Sequence, residues 1–150
     1  MSTIIDDNGT IQAVIDKLSA FPDKLREVLG ATMEAANLAV WESTPGYPDK
    51  PEGSKYDRTG TLGRTLGVDE SGAKGGQPDI FEVREMSTGF EAHFGTNLGY
   101  APYVIGESQA WMHKGIWWTM ADIAEKATPK VRAIFERVKD EVVAWFNRGA

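Results

Sequence analysis

The sequence contains no cysteine and only two histidines among its 150 residues. Without cysteine the chain cannot form a disulfide, a thiolate nucleophile or a cysteine-ligated metal site, which suits a reducing compartment. His93 and His113 lie twenty residues apart in no metal-binding spacing, whereas a zinc site needs three or four ligands in register. We therefore expect neither a metal nor a cofactor.

Long apolar runs and a positive net charge are also missing. No run approaches the roughly 20 apolar residues that cross a bilayer, and the start, MSTIIDDNGT, is unlike a basic and apolar secretory signal. A net charge of −6 offers no counterion release on a phosphate backbone. These features predict a protein of the cytoplasm without membrane contact or sequence-specific DNA binding.

Catalytic motifs are absent from the sequence as well. No Gly-x-Ser-x-Gly elbow occurs, and neighbouring carboxylates such as Asp69 and Glu70 point to different faces of regular structure. We expect no catalytic residues and no enzymatic activity. A hydrolase with a site hidden between a loop and the sheet is the alternative that this reasoning leaves open.

The apolar periodicity predicts a single domain over residues 1–150 with helices at both ends. A helical pattern over residues 11–41 is interrupted at Pro22, which reads as the first turn of a second helix. Helix resumes near Gly115, and Thr128 with Pro129 is expected to start a final helix. Residues 1–9 are expected to form a flexible N-terminus.

The middle of the chain predicts a small antiparallel sheet. Residues 79–85 and 90–94 alternate apolar and polar side chains around a Ser-Thr-Gly turn, the pattern of a hairpin. Two strands alone are marginal, so we expect residues 62–68 to join this sheet. Residues 71–78 are rich in glycine and predict a mobile loop. The expected fold class is α+β, with the C-terminal helices packed on the sheet.

An extended loop over about residues 44–66 is the most unusual segment. Loops of this length are functional or disordered, and its tyrosines and arginines argue against plain disorder. We expect Arg58 and Arg64 to donate charge-assisted hydrogen bonds to carboxylates or carbonyls of a binding partner, with Gly60 permitting a backbone turn. The alternative is that Arg58 pairs with a carboxylate of its own subunit and pins the loop.

The aromatic residues of the C-terminal half allow two interpretations. Some pack between the sheet and the C-terminal helix, or a subset forms a subunit interface, where tryptophan and tyrosine are enriched. Trp117 and Trp118 are neighbours on a predicted helix and need not face one core. The aromatic residues in question are Tyr100, Tyr103, Trp111, Trp117 and Trp118.

Two segments of the chain carry distinctive motifs. The first is residues 47–64, YPDKPEGSKYDRTGTLGR, of which Arg-Thr-Gly-x-Leu is the most specific part, and the second is Gly95-Thr96 followed by Tyr-Ala-Pro-Tyr-Val at residues 100–104. Both are similar to motifs of a family of tailed-phage and prophage neck and tail-completion (head–tail joining) proteins. The helices before and after fit the same order, although the stretch from Trp111 to Trp118 replaces the family's Arg-Pro-Phe ending.

This resemblance implies a structural, non-enzymatic ring subunit that joins the capsid connector to the tail tube. It implies a homo-oligomer with head-closure, connector and tail-tube proteins as partners, and DNA only as passing cargo. The protein would be assembled in the host bacterial cytoplasm and located in the virion. A minor capsid or decoration-type binding module is the alternative. The expected contact residues are Tyr47, Tyr56, Arg58, Thr59, Gly60, Leu62, Arg64, Tyr100, Tyr103, Trp111 and Trp117.

Overall fold

The structure is a computed structural model that describes residues 8–148. It has an α+β fold, as the sequence predicts, with two long helices and two small antiparallel sheets. The predicted flexible N-terminus lies outside the described residues up to position 7, and helix begins at Asn8. The elements in chain order are α1 (Asn8–Glu42), α2 (Thr61–Thr65), β1 (Leu66–Val68), β2 (Lys74–Pro78), β3 (Ile80–Met86), β4 (Gly89–Gly95), α3 (Ala101–Ile105) and α4 (Met120–Asn147).

Helix α1 runs through Pro22 without interruption, so the predicted helix break is wrong. Proline removes one backbone hydrogen bond and crowds the preceding turn, at a cost of about 3 kcal/mol. Here Pro22 lies on the exposed side of the helix. Its neighbour Phe21 packs against Trp145 and Phe146 of α4, with ring centroids 6.1 and 5.8 Å apart. Packing between the two helices offsets the local cost of the proline.

Helix α4 begins at Met120, five residues after the predicted resumption of helix at Gly115, and it runs through Thr128, so the predicted start of a separate final helix there is wrong. Thr119 is its N-cap and forms a capping box with Asp122. The Thr119 hydroxyl accepts from the Asp122 N–H at 3.2 Å, and the Asp122 carboxylate accepts from the Thr119 N–H at 2.7 Å. Thr128 instead lies inside α4 and donates its hydroxyl to the Ala124 carbonyl at 2.8 Å. The exposed Pro129 is again tolerated within the helix.

The hairpin predicted from the alternating pattern is confirmed as β3 and β4, which pair from Ile80↔Gly95 to Met86↔Gly89. Its apolar face rests on α1, where Trp41 and Phe81 lie 5.7 Å apart between ring centroids. The Asn37 side-chain amide also donates to the His93 carbonyl at 3.0 Å. The hairpin is thereby fixed to the C-terminal part of α1.

The expected third strand does not join this sheet. Residues Leu66–Val68 pair instead with Lys74–Pro78, so the stretch predicted to be a loop over residues 71–78 contains β2. Gly67 has a φ of +70°, and a Cβ there would stand 3.0 Å from the Pro78 ring. Glycine is therefore needed for the close approach of these two strands, and a glycine-rich strand resembles a loop in sequence.

The core lies where the extended loop, β1 and α3 meet. Its buried residues are Leu62, Leu66, Val68, Ala101 and Ile105. The Trp41 indole N–H donates to the Leu66 carbonyl at 3.0 Å, which ties α1 to this core. Helix α4 packs along α1, and Met120 at its start contacts the core. In the described part of the chain, no helix has the length and apolarity to span a bilayer.

Candidate functional site

The extended loop leaves α1 and is anchored at its base by Tyr47. The Tyr47 backbone N–H donates to the Glu70 carbonyl at 2.7 Å, and its hydroxyl accepts from the Gly63 N–H at 2.6 Å. Its ring meets the Trp117 ring edge-on, with centroids 4.9 Å apart. Burial raises the pKa of the Tyr47 hydroxyl against the opposing effect of the Gly63 hydrogen bond. Tyr47 therefore stays neutral and serves as a structural anchor.

Arg58 closes the loop onto its own chain. The guanidinium carbon lies 5.8 Å from the Tyr47 ring centroid and 5.3 Å from that of Trp117, within the range of cation–π attraction. The guanidinium donates to the carbonyls of Pro48 and Asp49. Arg58 therefore pins the loop within its own subunit, as the alternative interpretation expects. Its partners are two carbonyls and two aromatic rings, and not a carboxylate. Residues 48–57 form a lobe whose two ends are held together by Arg58, beside an exposed Lys50–Asp57 ion pair at 3.9 Å that contributes little.

The Arg-Thr-Gly turn that follows is also internally bonded. Gly60 has a φ of +70°, which confirms the predicted need for glycine there. Arg64 donates to the Thr59 carbonyl and to the Thr61 hydroxyl, each at 3.0 Å. Leu62 is only 4% exposed and belongs to the core. Most of the motif thus builds the loop, and its side chains are occupied within the chain.

The second motif lies against the first. The Thr96 hydroxyl donates to the Thr65 hydroxyl at 2.7 Å, which joins the segment after β4 to the end of α2. Ala101 packs in the core beside Leu62, while Tyr100 and Val104 line the same groove as Tyr56 and Arg58. Two segments about forty residues apart in the chain therefore form one surface, which we call the loop face.

Large aromatic side chains are exposed on the loop face and on the segment that follows it. Tyr56 is 65% exposed and Tyr103 58%, and Trp111 in the following segment is 82% exposed. By contrast, Trp117 is partly buried between Tyr47 and Trp118, so the two tryptophans pack together with centroids 6.0 Å apart. The Trp118 indole N–H donates to the Gly46 carbonyl at 2.9 Å. Of the predicted contact residues, the exposed aromatics are therefore those available to a partner.

A cleft of about 290 Å³ opens between the lobe and residues 112–117. Pro51 and Tyr56 form one wall, and Met112, Ile116 and Trp117 form the other. The sequence patterns do not indicate that Met112, His113 and Ile116 belong to this site. The sequence feature that could have indicated it is the pair of apolar residues, Met112 and Ile116, between Trp111 and Trp117.

The chemistry available at the loop face is that of a binding surface. Within residues 8–148 no group of three or more histidine, aspartate or glutamate side chains is placed to hold a metal ion. His93 lies away from the loop face and contacts Glu91 at 3.1 Å on β4. Comparison of the chain with protein-family models, curated proteins and solved structures found no match. Function is therefore inferred from the loop face and the sequence resemblance.

Replacing Tyr47 with phenylalanine is expected to lower the free energy of unfolding by about 1–3 kcal/mol, since the Gly63 N–H loses its acceptor in a buried position. Urea unfolding followed by tryptophan fluorescence measures this change. The matched control is Tyr56→Phe at a 65% exposed side chain, which should change stability by less than about 0.5 kcal/mol. Equal effects of the two substitutions would contradict the anchoring role of the Tyr47 hydroxyl.

Proposed function

We propose that the chain is a structural subunit of a tailed-phage or prophage neck, where it forms part of a ring between the capsid connector and the tail tube. The observation that carries this proposal is the joining of the two motifs into one loop face. The motifs are those through which the sequence resembles head–tail joining proteins. Leu62 of the first motif and Ala101 of the second pack in one core, and the hydrogen bond from Thr96 to Thr65, the residue after the first motif, adjoins this contact, so we treat the two motifs as one functional unit.

The proposed contacts follow from exposure. Tyr56, Tyr100 and Tyr103 on the loop face, and Trp111 in the following segment, are exposed and meet a neighbouring subunit, the connector or the tail-tube protein. Large aromatic side chains are typical interface anchors, since they bury much area with few rotatable bonds. Arg58 and Gly60 act indirectly by holding the loop in shape. The acidic net charge of −6 suits a ring through which DNA passes without binding.

The proposal is tested by interrupting the gene in the phage or prophage that encodes it and imaging the particles by electron microscopy. The expected result is DNA-filled heads and separate tails, with joining restored by the wild-type gene supplied on a plasmid. A plasmid that carries Leu62→Asp serves as a control for a misfolded product. Intact virions would contradict the proposal. Joined particles with altered shells would support the alternative of a minor capsid or decoration module.

A further inference from the structure

The cleft between the lobe and residues 112–117 is apolar, with cationic side chains at its edge. Lys50 and Arg58 line it together with the apolar walls, and no aspartate or glutamate is among the described residues that do so. The Lys50 ammonium lies 3.9 Å from the Asp57 carboxylate, an exposed pair that contributes little energy and leaves the ammonium able to meet a second carboxylate. Ile116 is 40% exposed and Met112 53%. An occupant with aliphatic side chains and adjacent carboxylates fits this chemistry.

One segment of the chain has this composition. Ile4 and Ile5 are followed directly by Asp6 and Asp7, just before α1. We propose that Ile4 and Ile5 of one copy bind in the cleft of a second copy, with Asp6 and Asp7 facing Lys50. A cleft of about 290 Å³ has the size to hold one or two aliphatic side chains.

The lengths of the elements require the contact to be between copies. Helix α1 has 35 residues and at 1.5 Å per residue is about 52 Å long. After α1, the five residues from Glu42 to Tyr47 can bring the chain back toward Asn8 by at most about 18 Å, even when they are fully extended. Trp117, which lines the cleft, lies 4.9 Å from Tyr47 between ring centroids. The cleft therefore stays more than about 20 Å from Asn8, whereas Ile4 reaches at most about 14 Å from it.

The contact joins two different surfaces, because each copy gives its Ile-Ile-Asp-Asp segment at one end of α1 and receives another copy's segment at the opposite end. Such heterologous contacts build closed rings or open filaments. The inference deepens the proposed ring and relies on that proposal only for the place of the ring in a virion. The contact itself is measurable on the purified protein.

The test uses a fluorescein-labelled peptide of residues 1–10 and the full-length chain with Ile4→Ser and Ile5→Ser, whose own segment no longer competes. Fluorescence anisotropy should show saturable 1:1 binding that weakens as salt is raised. Affinity should fall at least tenfold for a peptide with the same two serines, and at least tenfold when the receiving chain also carries Ile116→Asp. Circular dichroism and the urea midpoint verify that this receiving chain is folded.

No saturation, or equal affinity for the serine peptide, would overturn the inference. Unchanged binding to the folded Ile116→Asp chain would overturn the assignment of the cleft. A second receiving variant, Lys50→Glu, should bind the wild-type peptide more weakly. The same variant should bind a peptide with Asp6→Lys and Asp7→Lys more tightly than it binds the wild-type peptide. These titrations contain no heads or tails. If the peptide does not bind but the gene interruption still gives unjoined particles, the proposed contact between copies is wrong and the proposed function is still supported.

Discussion

Replacing Leu66 with alanine is expected to lower the free energy of unfolding by about 2–5 kcal/mol, the usual cost of emptying a fully buried leucine site. Leu66 is 0% exposed and lies at the start of β1, between the loop and α3. Its carbonyl also accepts the Trp41 indole N–H at 3.0 Å. A cavity there weakens the attachment of the loop to α1. Urea unfolding monitored by circular dichroism and tryptophan fluorescence measures the change.

The matched control is Leu38→Ala in α1, where the leucine is 41% exposed. It should cost less than about 1 kcal/mol because little apolar area leaves the interior. If both leucines gave the same loss, the core would not lie where β1, the loop and α3 meet.

Replacing Arg58 with alanine is expected to open the lobe of residues 48–57 while the core stays folded. The substitution removes the hydrogen bonds to the Pro48 and Asp49 carbonyls and the contacts with the Tyr47 and Trp117 rings. Since residues 49–57 are all exposed, little else holds the lobe. Tryptic cleavage after Lys55 should become at least tenfold faster, which corresponds to about 1.4 kcal/mol of easier local opening.

Arg64→Ala provides the comparison for Arg58→Ala. Arg64 is exposed and bonds only within the Arg-Thr-Gly turn, to Thr59 and Thr61, so cleavage after Lys55 should change less than threefold. Under the proposed function, Arg58→Ala also reduces the fraction of joined particles, because the opened lobe no longer holds Tyr56 in its contact position. Unchanged proteolysis of Arg58→Ala would show that Arg58 does not hold the lobe, and unchanged joining would contradict its role in assembly.

The parts of the fold that follow from local patterns could be predicted. The alternation from Asp79 to Phe94 specifies the β3–β4 hairpin because one face must be buried, and its apolar face does rest on α1. Pro22 and Pro129 led to wrong predictions of where helices begin. Both have the local signature of a helix start, yet contacts such as Phe21 with Trp145 keep the helices continuous. Tertiary packing decided those two positions.

The candidate site was only partly predictable for a similar reason. Local chemistry identified the unusual loop and the need for glycine at position 60. The bonds that build the loop face join distant segments, as with Tyr47 and Gly63 or Thr96 and Thr65. No local pattern encodes such pairs. The sequence therefore indicated a binding loop, and the structure divides its residues into those that hold the loop and those that are exposed.

The proposed function can be tested by reconstructing the neck region by cryo-electron microscopy, using particles from the phage or prophage that encodes the chain. We predict a ring between the capsid vertex and the tail in which each subunit has the paired helices α1 and α4. Tyr56, Tyr103 and Trp111 should lie at contacts with a neighbouring chain. A neck built entirely from other proteins, or this chain bound to the capsid shell, would rule out the proposed function.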